Sequence, residues 1–275
     1  MGGAVMAAPM EPGYREYPPP TALAAHLVCI WTQVVAAGSD VITQRVLPDG
    51  CIDIVLINED APIVAGPWTE PFTVRLPPGS TIIGARWYPG RAPVLLGLPA
   101  AAIFNQSVAL GDVWSRASSM PIAQIAGERT LDGRRVALEA ALLARLGRAA
   151  PADRAMHAAV GWIARNPQGR IDQLSRWVGI SGRQVQRRFA AAVGYGPKQF
   201  QSVLRFQRLL GLARRTPAPR TLGQLSAAAG YADQAHMTRE FQRFAGQAPS
   251  QVLRAADSAL ALSDLLAAPT ERERR

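Results

Sequence analysis

The chain has 275 residues, enough for two domains that each bury a core. Its 48% hydrophobic and 18% charged residues are typical of a folded globular protein and exclude an intrinsically disordered one. The net charge of +10 is unevenly spread: residues 1–150 hold 11 basic and 12 acidic residues (net −1), and residues 151–275 hold 19 and 8 (net +11). This split predicts a polyanion-binding module attached to a neutral one, with a solvated basic face as the plainer interpretation.

Three features of exported and membrane proteins are not found in the sequence: a signal peptide, a membrane-spanning stretch and a disulfide framework. Residues 1–9 lack the basic start and the sustained apolar run of a signal peptide. No stretch approaches the roughly 20 apolar residues that span a bilayer. Two cysteines, Cys29 and Cys51, are too few for a disulfide scaffold. We therefore expect a cytoplasmic protein that does not enter a membrane.

The first half of the chain has the pattern of β structure. Residues 1–20 are rich in glycine and proline and are predicted to be loosely ordered, and an apolar amphipathic stretch, Ala22–Trp31, opens the first domain. Across residues 41–98, short β-branched runs alternate with turn residues. A Pro-Asp-Gly turn precedes the predicted strand Cys51–Ile57, and a Pro-Pro-Gly-Ser turn precedes Thr81–Trp87. This spacing favours a small β-barrel or sandwich of the cupin-like kind.

Helical periodicity follows the strands, at residues 111–126 and 132–148. The second segment carries an apolar stripe made of Val136, Ala140, Leu143 and Leu146. Because such a stripe needs burial, it predicts a homodimer, with packing on its own barrel as the alternative. Ala149–Pro151 is the predicted boundary between an effector-binding or dimerisation domain (21–150) and a helical domain (151–257), which a charged tail (258–275) follows.

The helical half contains an internal repeat. The shared anchors are a Leu-Ser pair, a glycine, a phenylalanine, a second glycine and a proline. They are Leu174, Ser175, Gly179, Phe189, Gly194 and Pro197 in the first copy, and Leu225, Ser226, Gly230, Phe241, Gly246 and Pro249 in the second. All intervals agree except that from the first glycine to the phenylalanine, which is 10 residues in one copy and 11 in the other. Six matched anchors indicate that the two segments share one structure.

Each anchor has a physical role in a helix-turn-helix unit. The small serine lets two helices approach closely, and the first glycine suits the left-handed conformation just past a helix end. Ser181 and Asp233 then stand at the N-cap of a second helix, which the phenylalanine anchors in the core. We therefore predict two helix-turn-helix units, at about 171–193 and 222–245, whose second helices enter the DNA major groove.

The second helix of each unit has a face suited to reading DNA. Arginine bonds guanine through two hydrogen bonds, glutamine pairs with adenine, and threonine bonds a base or a phosphate. The candidate DNA-binding residues are Arg183, Gln184, Gln186, Arg187 and Arg188 in the first unit, and Gln234, His236, Thr238, Arg239 and Arg243 in the second. Arg188 and Arg243 fit phosphate contacts and a solvated surface equally well, and His236 suits packing or capping better than base reading.

A long helix is predicted between the two units, from Pro197 to Arg215. One side of it is apolar (Phe200, Leu204, Leu209, Leu212) and the other is basic (Arg205, Arg208, Arg214, Arg215). A rigid connector of this kind could hold two recognition helices about one DNA turn apart, roughly 34 Å, on the same face of the duplex. One monomer would then occupy two adjacent major-groove segments.

Residues 155–254 resemble the paired helix-turn-helix domain of the AraC/XylS family of transcription regulators. The segment GYADQAHMTREF at 230–241, continued by GQAP at 246–249, is similar to the family signature. The resemblance implies base contacts by Arg183, Gln186, Arg187, Gln234, Thr238 and Arg239. It also implies RNA polymerase as a partner and activation as the commoner mode. The sequence departs from the family at Ser175 and Ser226, where alanine is usual, and at Ala235, where a polar reader can occur.

Two segments of the first half, RVLPDGCID at 45–53 and GARWYPG at 84–90, resemble uncharacterised β-rich N-terminal domains found in some of these regulators. This resemblance implies a sensing or dimerisation role and names no ligand. A candidate effector pocket is lined by Trp31, Asp49, Cys51, Asp53, Trp68, Arg86 and Phe104. For each residue alone a structural role is an equally good interpretation: the aromatic rings as core, Asp49 as a turn residue and Asp53 as the wet face of a strand.

Three functions are compared on these grounds. The first is a sequence-specific DNA-binding regulator whose N-terminal domain senses a small-molecule effector or dimerises, and for which we expect no catalytic residue, metal site or cofactor. The second is a cupin-like enzyme fused to a DNA-binding domain, but metal cupins need several His or Glu ligands and residues 1–150 contain one histidine, His26. The third is a cysteine-based redox sensor, which needs Cys51 to be exposed with a lowered pKa.

Overall fold

The structure, a computed structural model, describes residues 12–114, 119–215 and 221–251. The N-terminal part of these residues forms eight strands. They are β1 Gly13–Tyr17, β2 Leu27–Val34, β3 Ile42–Val46, β4 Ile52–Ile57, β5 Ile63–Ala65, β6 Phe72–Leu76, β7 Thr81–Trp87 and β8 Ser107–Ala109. Short 3-10 helices at Thr21–Leu23 and Ala100–Ile103 connect strands.

The strands form two antiparallel sheets. Six strands pair in the order β1-β2-β7-β4-β5-β8, and β3 pairs with β6 in a separate two-stranded sheet. Side chains alternate along β4: Ile52, Ile54 and Leu56 are buried in the main core of this domain, whereas Asp53 and Val55 are only half-buried and face the other side. One face of the large sheet is therefore covered by core, and the other is turned toward the small sheet.

Ten α-helices lie within the described residues, and the last six form a helical domain with one core. They are α1 Ala92–Leu96, α2 Leu110–Val113, α3 Ser119–Gly127, α4 Leu131–Leu146, α5 Arg154–Arg165, α6 Ile171–Val178, α7 Gly182–Val193, α8 Pro197–Arg215, α9 Leu222–Ala229 and α10 Gln234–Ala245. Phenylalanines from α7, α8 and α10 are fully buried at the centre of that core. Among the helices that the structure describes, none is long and apolar enough to cross a membrane.

The predicted two-domain α+β organisation is confirmed, but the chain becomes ordered earlier than expected. Gly13–Tyr17, predicted to be loosely ordered, pairs with β2 from Gly13↔Val34 to Tyr17↔Ile30. The strand is held because Tyr14 also packs on Trp31, with ring centroids 5.9 Å apart. Residues 1–11 lie outside the described residues, as do residues 252–275, which include the predicted charged tail.

Helix α4 buries a different face from the one that its sequence pattern suggested. Leu131, Leu138, Ala141 and Leu142 are buried in the core of the β domain. Val136 and Leu143, from the predicted stripe, are 55% and 38% exposed. Arg134 fixes this orientation by donating hydrogen bonds to the carbonyl oxygens of Glu128 and Asn58. Of the predicted stripe, α4 thus presents Val136, Ala140 and Leu143 to solvent, whereas Leu146 is partly buried against the core of its own domain.

Candidate nucleic-acid interface and cavity

The two helix-turn-helix units, α6–α7 and α9–α10, are built alike. Each first helix ends at a glycine in the left-handed conformation, Gly179 with φ 72° and Gly230 with φ 91°. Each second helix also ends at such a glycine, Gly194 with φ 104° and Gly246 with φ 67°. Glycine adopts this conformation without the steric cost that a Cβ imposes. The left-handed conformation predicted for Gly179 and Gly230 is confirmed, and Gly194 and Gly246 end the second helices in the same conformation.

The second helix of each unit starts at its predicted cap. The Ser181 hydroxyl accepts a hydrogen bond from the Gln184 backbone N–H, and Gln184 Oε1 accepts one from the Ser181 backbone N–H at 3.1 Å. This reciprocal pair is a capping box. At α10 the Asp233 carboxylate accepts from the His236 backbone N–H at 2.6 Å. The Gln184 side chain, a candidate DNA contact, is thus engaged in holding the start of α7.

Five of the ten candidate DNA-binding side chains are exposed and have no hydrogen bond or ion pair within the described part of the chain. They are Arg183, Gln186 and Arg187 on α7, and Gln234 and Arg239 on α10. Three are cationic and two carry an amide, so both helices present donors for bases and phosphates. The geometry of these two faces is therefore compatible with insertion into a groove.

Other candidates on the same helices have partners in the protein. Arg188 forms a bidentate pair with Asp153, the N-cap of α5, at 2.7 and 2.9 Å. The hydrogen bond from Arg188 lowers the pKa of Asp153. The Thr238 hydroxyl donates to the Gln234 carbonyl oxygen at 2.8 Å. Arg188, for which a phosphate contact and a solvated position were both considered, instead links α7 to α5.

The last two candidates are held at the surface of α10. The His236 ring packs edge-on against Tyr231, 5.5 Å between centroids, and its Nε2 lies 3.5 Å from Glu240 Oε1. Arg243 donates to the Gln199 side-chain oxygen and lies 4.8 Å above the Phe244 ring. His236 therefore has a packing role, which was the favoured alternative for it.

Helix α8 holds α10 through a buried ion pair. Arg205 NH2 lies 3.3 Å from Glu240 Oε1, with the two side chains 12% and 15% exposed, and Ser202 Oγ donates to the same carboxylate at 2.6 Å. Arg205 was predicted on the polar, basic side of this helix, and in the structure Glu240 and the Tyr231 ring, 5.4 Å away, enclose its guanidinium. The second recognition helix is thus fixed to the connector.

A cavity of about 280 Å³ lies in the β domain. Side chains from β2, β4, β5 and β7 line one side, and side chains from β3 and β6 line the other. Gln207 and Leu210 of α8 complete the wall. Four of the predicted pocket residues, Trp31, Asp49, Asp53 and Arg86, do line it. The cavity is therefore bounded by both domains.

The polar end of the cavity is an ordered cluster across three strands. Arg86 on β7 is paired in register with Asp53 on β4, and its Nε lies 3.1 Å from Asp53 Oδ1. Trp31 Nε1 donates to the same oxygen at 2.9 Å. Burial raises the pKa of Asp53, against the opposing effect of the Arg86 guanidinium. Asp49 accepts from the Cys51 backbone N–H at 2.8 Å and lies 4.0 Å from Arg86 Nε.

Three residues predicted for the pocket lie elsewhere. Trp68 packs on Phe72, with centroids 4.7 Å apart. Phe104 packs edge-on against Tyr195 of the helical domain, 5.8 Å away. Cys51 is buried and does not contribute to the cavity wall. All three apolar side chains find contacts in the protein interior instead, which the pattern of the sequence did not reveal.

The cysteines do not have the properties of a redox sensor. Both thiols are free and buried. Burial raises the pKa of the Cys29 thiol to about 12 and also raises that of Cys51. A sensing thiol needs exposure and a lowered pKa. The condition set for this alternative is therefore contradicted by the structure.

The β domain contacts the helical domain through the turn at Pro48–Cys51. Gln207 Nε2 on α8 donates to the Pro48 carbonyl oxygen at 2.7 Å. Gly50, with φ 84°, approaches so closely that a Cβ there would lie 2.9 Å from the Phe200 ring. This contact was not predicted from the sequence. The one indication of it is Gln207, a polar residue among apolar neighbours in α8 that the structure shows to be buried.

Two further contacts join the domains. Arg45 NH1 on β3 donates to the carbonyl oxygen of Ala245, the last residue of α10, at 3.1 Å. His157 on α5 donates from Nε2 to the Gly90 carbonyl oxygen at 2.9 Å. Burial lowers the pKa of His157 to about 4, so the ring is neutral near pH 7. The β domain thus touches the helical domain at α5, α8 and α10.

Comparison with known proteins assigns both halves of the chain. Residues 174–255 match the family model of a helix-turn-helix domain, and residues 15–109 match that of a domain of unknown function, DUF6597. The C-terminal half carries an AraC-type helix-turn-helix domain. The protein is therefore a DNA-binding transcription regulator that joins this AraC-type domain to a DUF6597 domain. No curated protein matches the chain.

Several solved structures are similar to parts of this chain. A probable AraC family transcriptional regulator from Rhodopseudomonas palustris CGA009 is 25% identical over 38% of this chain and 100% of its own, with a TM-score of 0.35. ToxT from Vibrio cholerae is 10% identical over 83% of this chain and 99% of its own, with a TM-score of 0.46. ToxT with a bound unsaturated fatty acid is 11% identical, covering 82% and 94%, with a TM-score of 0.41.

Proposed function

We propose that the protein binds specific double-stranded DNA by inserting α7 and α10 into successive major-groove segments. The observation that carries the proposal is the duplicated unit, two capped helices with solvent-facing donors that one helix joins. The 19 residues of α8 extend about 28 Å at a rise of about 1.5 Å per residue. This length is comparable to the roughly 34 Å of one DNA turn. The excess positive charge of residues 151–275 supplies the attraction to phosphates.

We assign base reading to the five exposed and unengaged side chains, and positioning or phosphate contact to the rest. The proposed readers are Arg183, Gln186, Arg187, Gln234 and Arg239. Gln184, Arg188, His236, Thr238 and Arg243 each have a partner in the protein, and DNA contact would require those partners to be exchanged or shared.

We further propose that the β domain controls the DNA-binding domain through α8. A ligand in the cavity would touch Gln207 and Leu210 directly, and these lie on the helix that connects the two units. To act, the ligand must bind one arrangement of the domains more tightly than another. In this proposal the cavity binds a ligand, and Asp53, which accepts hydrogen bonds from Trp31 and Arg86, holds the shape of the site.

The experiment that tests DNA recognition is the selection of bound sequences from a random pool with the purified full-length protein. Two short conserved blocks about one helical turn apart are expected. Arg187→Ala should degrade one block and Arg239→Ala the other. Arg208→Ala, an exposed arginine of α8 outside both recognition helices, is the matched control. Sequence-blind binding with the same salt dependence for all variants would contradict the proposal.

We also propose that α4 mediates a homodimer. Its exposed stripe of Val136, Ala140 and Leu143 has Asp132 toward one end and Arg148 just beyond the other. Antiparallel pairing of two copies would cover the stripe and place these opposite charges together. Light scattering should show a dimer for the full-length protein and a monomer for Val136→Asp. A monomer for the unchanged chain at micromolar concentration would contradict the dimer.

We propose that the protein activates transcription, and that it does so in the cytoplasm by contacting RNA polymerase. Transcription in vitro from a promoter that carries the selected site should increase when the protein is added. A decrease would show a repressor and leave the DNA-binding proposal intact.

A further inference from the structure

The polar end of the cavity has an excess of negative charge. Three of its lining residues are carboxylates (Glu16, Asp49, Asp53) and two are guanidinium groups (Arg45, Arg86). Arg45 is directed to the Ala245 carbonyl oxygen in the helical domain. Two carboxylates, those of Asp53 and Asp49, therefore flank Arg86, at 3.1 and 4.0 Å from its Nε. An anionic ligand placed there would meet more repulsion than attraction.

Asp49 has an oxygen to offer a ligand. Its Oδ1 accepts from the Cys51 backbone N–H, whereas its Oδ2 lies 4.0 Å from Arg86 Nε, beyond hydrogen-bond distance. Asp53 differs, because Arg86 and Trp31 both donate to it. The Asp49 side chain is 27% exposed, so a donor that enters the cavity can reach it. A ligand with an N–H⁺ group would satisfy this acceptor.

Aromatic rings stand beside these carboxylates. The Trp31 ring lies directly over Gly84, where a Cβ would come within 2.4 Å of it, so the glycine makes room for the indole. Tyr14 lies 5.9 Å from the Trp31 centroid and donates from its hydroxyl to Glu16 Oε1 at 2.7 Å. Aromatic faces together with carboxylates attract organic cations.

The rest of the cavity is apolar. The lining side chains away from the polar end are mostly aliphatic, among them Ile57, Ile63, Val74 and Leu76 from the two sheets and Leu210 from α8. This wall suits a hydrocarbon body. The volume of about 280 Å³ lies just below the range of about 300–1,000 Å³ that is usual for ligand sites, so the body is small.

We propose that the cavity binds a small cationic amphiphile, an amine whose ammonium group contacts Asp49 and Trp31 and whose apolar body reaches Leu210. This deepens the proposed function, on which it rests only for the effect of the ligand on DNA binding. Because the ligand would contact Leu210 on α8, its binding would act directly on the helix that joins the two helix-turn-helix units.

Three probes with one apolar body test the charge preference: phenylbutylamine, phenylbutanol and phenylbutyrate. Calorimetry with the full-length protein should show the amine binding about ten-fold or more tighter than the other two, a difference of about 1.4 kcal/mol. Asp49→Asn should remove most of that preference and leave the affinity for the alcohol unchanged. Asparagine retains an oxygen for the Cys51 N–H, so the turn is kept. Glu70→Gln, an exposed acid outside the cavity wall, is the control.

Three outcomes would overturn the inference. Tightest binding of the carboxylate, lost in Arg86→Gln, would show an anion site. Equal binding of all three probes would show an apolar site without charge selection. No binding of any probe would show that the cavity is not a site for this class. A failure of DNA selection, in contrast, leaves the calorimetric result standing, so the two proposals fail separately.

Discussion

The side-chain Nε2 of Gln207 lies 2.7 Å from the carbonyl oxygen of Pro48, and both residues are buried. Pro48 is followed by Asp49, which lines the cavity, and Gln207 lies on the helix between the two recognition units. This hydrogen bond thus ties the turn that carries Asp49 to the connector helix, which itself contributes Gln207 and Leu210 to the cavity wall. The buried carbonyl oxygen has a strong requirement for this donor, because an unsatisfied buried acceptor costs about 1–3 kcal/mol.

Gln207→Leu should lower the free energy of unfolding of the full-length protein by about 1–3 kcal/mol, because the Pro48 carbonyl oxygen then loses its buried partner. Urea unfolding followed by tryptophan fluorescence measures the change. Gln242→Leu, at an exposed position of α10, is the control and should change stability little. If both variants lose the same amount, the contact between the domains does not contribute to stability in solution.

Gly179→Ala should destabilise the protein by about 1–2 kcal/mol, because an alanine at φ 72° is strained in the left-handed region. Gly182→Ala, three residues later in the first turn of α7, should be neutral or stabilising by up to about 1 kcal/mol. Neither glycine has an atom within 4 Å of an added Cβ, so the pair differs in backbone conformation and not in packing. Thermal unfolding of the two variants compares them; similar melting temperatures would exclude the left-handed turn.

Arg239→Ala should weaken binding to the selected DNA site by about 1–3 kcal/mol and relax the preference at one base pair. Its side chain is exposed and has no partner within the described residues, so its loss should not disturb the fold. Titration against the selected site and against random DNA measures both effects. Equal losses on the two DNAs would identify a phosphate contact.

Arg188→Gln should reduce stability by about 0.2–1 kcal/mol at about pH 7, since the ion pair with Asp153 is about one-third exposed and partly screened. The Asp153 pKa is lowered in the folded state, so the stabilisation is present above the ordinary carboxyl pKa of 3.8 and is lost as the pH falls below it. The free energies of unfolding of the two proteins, measured in urea, should therefore converge as the pH falls through the lowered pKa of Asp153. Arg208→Gln, exposed on α8, is the control, and a difference that persists in acid would refute the ion pair as its cause.

Both cysteines should resist alkylation in the folded protein. They are buried, and the pKa of Cys29 is raised to about 12, so little thiolate forms near pH 8. Iodoacetamide labelling followed by mass spectrometry should show modification only after urea is added. Cys51→Ser should leave any ligand response unchanged. Rapid labelling of Cys51 in the native protein would restore the redox-sensor alternative.

The helical domain was predictable to within a few residues, because its signals are local. Glycine conformation and N-caps depend on residues a few positions apart, so the helices α6, α7, α9 and α10 begin and end where the repeat indicated. The strand Thr81–Trp87 was likewise predicted with its observed bounds, since turn residues flank it on both sides.

The remaining features depend on partners that are distant in the sequence. No residue near Arg205 in the sequence indicates that it pairs with Glu240, and none near Gln207 indicates that it bonds to Pro48. For the same reason four of the seven predicted pocket residues line the cavity and three do not, because the way the two sheets face each other decides which side chains line it. The buried face of α4 was missed because its sequence is apolar on two sides, and periodicity alone does not choose between them.

Under the proposed function, helix α8 links two properties: the spacing of the DNA half-sites and the contact between the β domain and the helical domain. Each residue added to a helix advances it by about 1.5 Å and turns it by about 100°. An insertion between Phe200 and Gln207 would thus alter the separation of the two recognition helices and, at the same time, rotate Gln207 away from Pro48. Under the proposed function, the length of α8 therefore determines both the spacing of the DNA half-sites and the position of Gln207 against the β domain. A variant adapted to a different half-site spacing would therefore need a different contact between its two domains.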